Sequence, residues 1–597
     1  MNYISQISNE EKILTFSRYF LIGVFGLILI LYFDPYYERT QDSYLYGIAS
    51  IQTSDGSYEY SNDFLKNSGL KEFVPFQWNK TINNEAVPSL TSPGIVVIGS
   101  IIFKIFGEYG LFYFGPLTTI GLFLIAEKTI RHIFDNKIAF VSLIFLITAE
   151  MISYVGRVFL TDNLFTVFFL LGCFYLIKSF KTKNINNILY SSIFFTVSSS
   201  IRLSGAIVFP IEIIIIFYFI YDNRDKNKKY FENNKLKITI KKLKYIFNIF
   251  WRLLLPWFLL IMLIFSYNYY YFENYYAISS DGTPVDRGFL DPNRVEVQDR
   301  FQNIVQYGNA ILPSPINRVN EMIDNYDERI DEYYPFFGSL FKALPIELIS
   351  NISLGIITII IIVCSVLISF FQKNKRLEIG IFTLMIIGFF TIFSSDYIVD
   401  RFMIHLLPLF FTIGSFLIFS IIRCGSFTTP WKQTIFKIFK IGIIISLTIL
   451  ISVSIYFSEA IQILKIEGTE ISNPIDKARY PLDKEGLNEN SLVIGALSSK
   501  ILDYDLIPFD PMYKHPRKGE FESKFISENS IELINQKMND GHSFYVFKET
   551  QFQHDKPFFR YLIENYEFVL KDHSNSFCKL EVNKNNDQKS DEICIYD

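Results

Sequence analysis

Three carboxylates recur at four-residue intervals near the start of the chain: Asp34, Glu38 and Asp42, in a stretch that continues through Ser43, Tyr44 and Tyr46. On a helix they share one face, where like charges repel unless a cation, a substrate or plain solvent offsets them. Asp34 followed by Pro35 also reads as a helix cap and first helical position. A second acid, Asp162, lies in Arg157-Val158-Phe159-Leu160-Thr161-Asp162-Asn163. There Thr161 or Asp162 reads equally as the cap of the following helix. A carboxylate held at a membrane surface can take a proton from a hydroxyl acceptor.

Cations stand near the acids. Arg202 sits in Ser200-Ile201-Arg202-Leu203-Ser204-Gly205, between two apolar blocks, and Arg401 follows Asp400 and precedes an apolar run through Pro408. An ionisable group beside hydrocarbon is costly, which makes it a functional candidate. Arg157, Arg202 and Arg401 together could hold a phosphate through charge-assisted, bidentate contacts. Each could equally snorkel to lipid headgroups or pair locally, as Arg401 could with Asp396 or Asp400. His405, alone in a span, reads first as a packing residue. The five cysteines include no CxxC or Cys/His cluster at metal spacing. Cys578 and Cys594 read equally as a disulfide and as two thiols.

The elements that must position these groups are membrane spans. Half of the 597 residues are hydrophobic, and they fall in blocks of roughly 20, the length that crosses a hydrocarbon core. The first block is too long for a signal-peptide core and reads as a retained span. Eleven spans are expected: 13–33, 110–130, 138–155, 161–180, 186–202, 205–222, 251–271, 351–371, 378–395, 402–422 and 437–458. Lys and Arg concentrate in links around 131–137, 178–183, 224–244, 373–376 and 423–440. The positive-inside rule then predicts a cytoplasmic N-terminus and an outer C-terminus, which satisfies all these links at once. The block Pro93–Phe106 is too short to cross and contains Lys104, so it is expected to lie in the outer interface or re-enter from it. Counted as a crossing, it would reverse every later link.

This arrangement predicts a membrane domain over 1–458, with large outer loops at 34–109 and 272–350. A small extracytoplasmic α/β domain is expected over 459–597, with candidate strands at 491–497, 543–547, 577–582 and 593–596 and helices at 530–538 and 556–565.

In order along the chain, several motifs resemble the GT-C class of membrane glycosyltransferases, which use polyprenyl-phosphate-linked sugars. The resemblance is strongest to the branch holding the protein O-mannosyltransferases and the aminoarabinose transferases of lipid A. It covers residues 13 to 423. It rests on Gln41-Asp42-Ser43-Tyr44-Leu45-Tyr46 with Ala49, then Gly56 and Tyr58; on Ser92-Pro93-Gly94 through Phe106-Gly107; on Arg157 to Asp162; on Arg202; and on Arg401-Phe402 with Pro408. A single Pro93 stands where the family often has a proline pair. The Trp-Trp-Asp motif of oligosaccharyltransferases is absent from a chain whose tryptophans are Trp78, Trp251, Trp257 and Trp431.

The resemblance implies transfer of a sugar from a polyprenyl (dolichyl-type) phosphate donor to a protein, lipid or glycan acceptor by inverting displacement. Asp42 would be the base, with Glu38 a weaker stand-in and Tyr46 beside it. Arg401, Arg202 and Arg157 would stabilise charge on the departing phosphate, and Asp162 would orient the acceptor or a cation. No cofactor is required; the two acids could hold a divalent metal, though nothing indicates one. The expected setting is the cell membrane, with lipids as neighbours and no nucleic acid. Other lipid-linked glycan ligases and transporters or flippases are the rival readings; against a transporter, no repeated half with mid-membrane charges is visible.

Overall fold

A computed structural model describes residues 9–31, 41–56, 93–149, 155–222, 235–273, 375–393 and 404–423, with most of 59–88, parts of 434–452 and segments between 487 and 582. The chain opens with α1 (Asn9–Leu31), α2 (Gln41–Ser54) and α3 (Asp63–Ser68), followed by a hairpin of β1 (Trp78–Lys80) and β2 (Ala86–Pro88). Helices α4 (Pro93–Phe106), α5 (Glu108–Phe112), α6 (Phe114–Ile133), α7 (Asn136–Ile147), α8 (Thr161–Thr182) and α9 (Asn186–Ile201) come next. A 3-10 turn (Leu203–Ile207) leads into α10 (Val208–Asp222), then α11 (Lys235–Phe272), α12 (Arg376–Phe393) and α13 (Leu407–Arg423).

Four helical stretches among the described residues are long and apolar enough to cross a membrane: Glu11–Leu31, Thr161–Thr182, Leu243–Tyr271 and Ile404–Arg423. The chain is a membrane protein built mainly of helices. The expected spans at 110–130, 186–202, 205–222 and 378–395 are occupied by α6, α9, α10 and α12. The span expected at 351–371 lies outside the described residues, and of 437–458 a helical stretch, 437–445, is described. The block expected over 138–155 is shorter than predicted. Helix α7 stops at Ile147, where the Thr148 hydroxyl donates back to the Ile144 carbonyl at 2.9 Å, a bond that competes with continued helix.

The basic links meet at one end of this bundle. Arg423 pairs with Asp135 at 2.8 Å, and Lys181 pairs with Glu378 at 3.3 Å. Lys181 and Lys375 both donate to the carbonyl of Ile133, where α6 ends. Arg18 of α1 reaches Glu127 at 3.1 Å and the Asn136 carbonyl at 3.1 Å. Four links far apart in sequence therefore lie together, as links on one side of a membrane must.

At the other end, the hairpin turns through Asn84, whose φ of 57° falls in the left-handed region that Asn tolerates. The Ile82 N–H donates to the Tyr271 carbonyl at the end of α11 at 3.2 Å. The C-terminal region forms a five-stranded sheet of β3 (Ser491–Ile494), β4 (Ile507–Phe509), β5 (Ser543–Phe547), β6 (Phe568–Asp572) and β7 (Phe577–Val582), in the order β4-β3-β5-β7-β6. The β3 pairings are parallel and the β7 pairings antiparallel. Helix α14 (Glu528–Asn539) precedes β5. Cys578 of β7 is disulfide-bonded; Cys594 and the segments 556–565 and 593–596 lie outside the described residues. The Phe64 ring of α3 lies 5.1 Å from the His542 ring, with the Lys537 ammonium 4.8 Å from its centroid. The sheet region is thereby seated against the first loop.

Candidate active site

Helix α9 ends because its chain changes conformation at Arg202, which is extended at φ −148° and ψ 114°. The Arg202 N–H still donates to the Ser198 carbonyl at 3.0 Å, and Gly205 N–H donates to the Arg202 carbonyl at 2.9 Å. This break aims the guanidinium at the first turn of α8, where it forms an ion pair with Asp162. The Asp162 side chain is 3% exposed and that of Arg202 is 13% exposed. Neither Thr161 nor Asp162 caps α8; the cap position is Leu160, which has no side-chain oxygen to offer. A carboxylate in the first turn also gains from the helix dipole. Lys181 lies 19 residues along the same helix, so the pair sits about 28 Å from the basic end at the usual rise per residue.

The link ahead of α8 is buried throughout residues 155–160. Arg157, expected to reach headgroups or phosphate at the surface, is 1% exposed. Asn163 donates to the Thr119 hydroxyl at 2.6 Å, and that hydroxyl donates to the Gly115 carbonyl at 2.8 Å, tying α8 to α6.

Helix α4 packs on α2 and α9. Its glycine at 94 allows the approach: a Cβ there would stand 2.8 Å from the Ser200 carbonyl carbon and 2.9 Å from the Ile201 nitrogen. Both atoms belong to the backbone just before Arg202. Residues Ile95, Val96, Gly99 and Ser100 are buried, while Val97, Ile101, Ile105 and Phe106 are exposed. That two-faced pattern is what a helix lying against a bundle and facing lipid shows.

Of the residues singled out from sequence, Asp162 and Arg202 are brought into contact. Asp42 lies on α2, where the backbone is described but its side chain is not. Tyr46, one turn further on, is half-buried against the core, and its carbonyl accepts from the Ser50 hydroxyl at 2.6 Å. Asp34, Glu38 and Arg401 lie outside the described residues. His405 is buried among the rings of Phe165, Phe169 and Phe389, at 5.0, 6.0 and 4.2 Å, as a packing residue would be. Among the described residues no three His, Cys, Asp or Glu side chains group as metal ligands.

One charged cluster escaped the sequence reading. Tyr60 exchanges backbone hydrogen bonds with Ala86 at 2.8 Å each way, which brings Glu59 close to Glu85. Lys66 stands 3.9 Å from Glu85. A hydrogen bond with Glu85, then burial, raises the Glu59 carboxyl to about 7. The turn-forming Asn83-Asn84 was the available signal, since a hairpin there folds Glu85 back toward residues 59 and 60.

The fold and the ion pair define a class: a helical membrane protein with a charged, largely buried centre at the end away from its basic links. Residues 91–238 match the family model described as dolichyl-phosphate-mannose-protein mannosyltransferase. That segment runs from α4 to the start of α11 and contains Arg157, Asp162 and Arg202. The resemblance to GT-C glycosyltransferases read from motif order is borne out by this match, and the enzyme class is glycosyltransferase. No curated protein matches the chain. Similar solved structures include ArnT from Cupriavidus metallidurans in the apo state, at 10% identity, TM-score 0.48, covering 95% of this chain and 98% of that one. The archaeal oligosaccharyltransferase AglB from Archaeoglobus fulgidus, in complex with an inhibitory peptide and a dolichol-phosphate, is 11% identical, with TM-score 0.46 and coverage of 89% and 70%.

Proposed function

We propose that the protein transfers a sugar from a polyprenyl-phosphate donor to an acceptor at the outer membrane surface by inverting displacement. The observation that carries this reading is the family match over a segment that contains both members of the Asp162–Arg202 pair, which joins α8 to the end of α9. A sugar on a polyprenyl phosphate already has a good leaving group. The remaining needs are a base for the acceptor hydroxyl and positive charge where the phosphate departs. Asp42 is the base, with Glu38 a weaker stand-in and Tyr46 one turn further along α2. Arg202 and Arg401 receive the phosphate. Asp162 holds the Arg202 guanidinium in one orientation, so no reorganisation is needed as charge develops. Arg157 supports the link beneath them. The N-terminus and the basic links lie in the cytoplasm, as the positive-inside rule requires, and the C-terminal sheet region lies outside.

Donor turnover by purified protein tests the assignment. Asp42→Asn should insert and fold as the parent does yet release no polyprenyl phosphate from a polyprenyl-phosphate-sugar donor. Parental turnover in that variant would remove Asp42 as the base.

A further inference from the structure

Helix α10 carries a carboxyl group inside an apolar run, Ile211-Glu212-Ile213-Ile214-Ile215-Ile216. Glu212 is wholly buried. An ionisable group in such a place is costly and by default a functional candidate, yet the chemistry above does not use it. Its partners are neutral. The Ser192 hydroxyl of α9 donates to Oε1 at 2.9 Å, and the Trp257 indole N–H of α11 donates to Oε2 at 3.1 Å. Each oxygen therefore accepts from a different helix. Since α9 also packs on α11, the carboxyl group closes a junction of three helices.

That junction stands in a definite relation to Arg202. Ser192 lies ten residues before it, about 15 Å along α9. Glu212 lies ten residues after it, about 16 Å away through the 3-10 turn and the start of α10. The Ser192–Glu212 bond thus joins the two arms at matching distances from the guanidinium. A slip of one residue in either arm would turn its side chain by about 100° and break the bond. Within the α9 arm, the Ser198 and Ser199 hydroxyls both donate back to the Phe195 carbonyl at 2.8 Å. Such bonds weaken and bend a helix, so the place of Arg202 depends on its anchors: Asp162 at the tip and Glu212 at the base. In α11, Pro256 removes a backbone hydrogen bond just before Trp257. Trp257 is fixed instead by Glu212 and by the Phe209 ring of α10, 5.1 Å away.

We propose that Glu212 is a positioning residue that sets the height at which Arg202 meets Asp162 and the departing phosphate, which rests on the transferase reading above. Full-length protein in nanodiscs tests it, with donor turnover expressed per folded molecule. Glu212→Gln keeps both bonds, its amide oxygen accepting from Trp257 and its amide N–H donating to the Ser192 hydroxyl; kcat should stay within threefold of the parent. Glu212→Met, of similar size, keeps neither, and kcat should fall at least tenfold. In the background of Asp162→Asn with Arg202→Gln, Glu212→Met should lower Tm as it does in the parent yet change kcat less than twofold, because the group it positions is gone. A purely structural role would instead give the same fold-loss in both backgrounds. That result, parental kcat in Glu212→Met, or a Gln variant no better than Met would each overturn the proposal. If Glu212→Met does not insert, Ser192→Ala replaces it, with a loss of at least threefold expected and parental kcat overturning the proposal. Amide exchange over residues 198–207 is read without turnover: it should quicken in Glu212→Met and match the parent in Glu212→Gln. A parent that consumes no donor but shows that exchange pattern fails the transferase reading alone. A parent that turns over donor while Glu212→Met exchanges and reacts as the parent does fails this proposal alone.

Discussion

Removing one member of the Asp162–Arg202 pair should cost far more than removing both. In Asp162→Asn the guanidinium of Arg202, 13% exposed, keeps its charge and loses its anion. In Arg202→Gln a carboxylate that is 3% exposed is stranded between helices. Breaking a buried pair from one side costs about 3–5 kcal/mol. The lower figure, about 3 kcal/mol, corresponds to a change of roughly 150-fold in the folded-to-unfolded ratio. Asp162→Asn with Arg202→Gln leaves two neutral amides able to hydrogen-bond each other, and replacing a buried pair by neutral groups is often close to neutral. The double variant should then lose about 1–2 kcal/mol instead of the roughly 6 that additivity demands. Reversible unfolding of the purified protein in mixed micelles, followed by tryptophan fluorescence, reads all four corners of the cycle. Single variants costing under about 1 kcal/mol, the usual worth of an exposed pair, would refute the claim that the pair is desolvated. So would strict additivity. Donor turnover adds a second reading: the double variant should be stable yet slow, because the stabilising charge at the phosphate is gone.

Two further outcomes are expected. Gly94→Ala puts a methyl 2.8 Å from the Ser200 carbonyl carbon, so the end of α9 must shift and carry Arg202 with it. A loss of at least tenfold in kcat is expected, while Gly121→Ala, which meets nothing within 4 Å, should match the parent. Glu59, raised to about 7, favours its protonated form in the folded loop. The sign follows: its contribution is fully present below the ordinary glutamate value and is lost as pH rises through about 7. The protection factors of residues 78–88, which divide out the base-catalysed rise in intrinsic exchange, should therefore fall between pH 5 and 8 in the parent and stay level in Glu59→Gln; an equal fall in that variant would show that the Glu59–Glu85 contact is not the cause.

Much of this protein is legible locally. A span announces itself through some 20 consecutive apolar residues, and Lys and Arg mark the links without reference to the rest of the fold. Hence the helices at 9–31, 161–182 and 376–393 were expected within a few residues of where they lie. Helix α4 lies where the short apolar block at 93–106 was read. The ordered motifs from Asp42 to Pro408 were enough for the glycosyltransferase class, because they are stretches of sequence and not contacts.

Tertiary structure decided what depends on two distant segments meeting. Asp162 read equally as a helix cap, and Arg202 as a snorkelling cation; forty residues separate them, and no spacing rule says that the break at the end of α9 turns one onto the other. Arg157 looked like a surface residue because its link is short, yet the packing of α6 and α8 buries it. The hairpin brings Glu85 beside Glu59, and the Ile82 N–H ties that hairpin to the Tyr271 carbonyl at the end of α11. Apolar length and charge asymmetry are properties of a single segment in its solvent, which the chain carries in its order of residues. Ion pairs, desolvation and cavities are properties of two surfaces, and those exist only once the helices have packed.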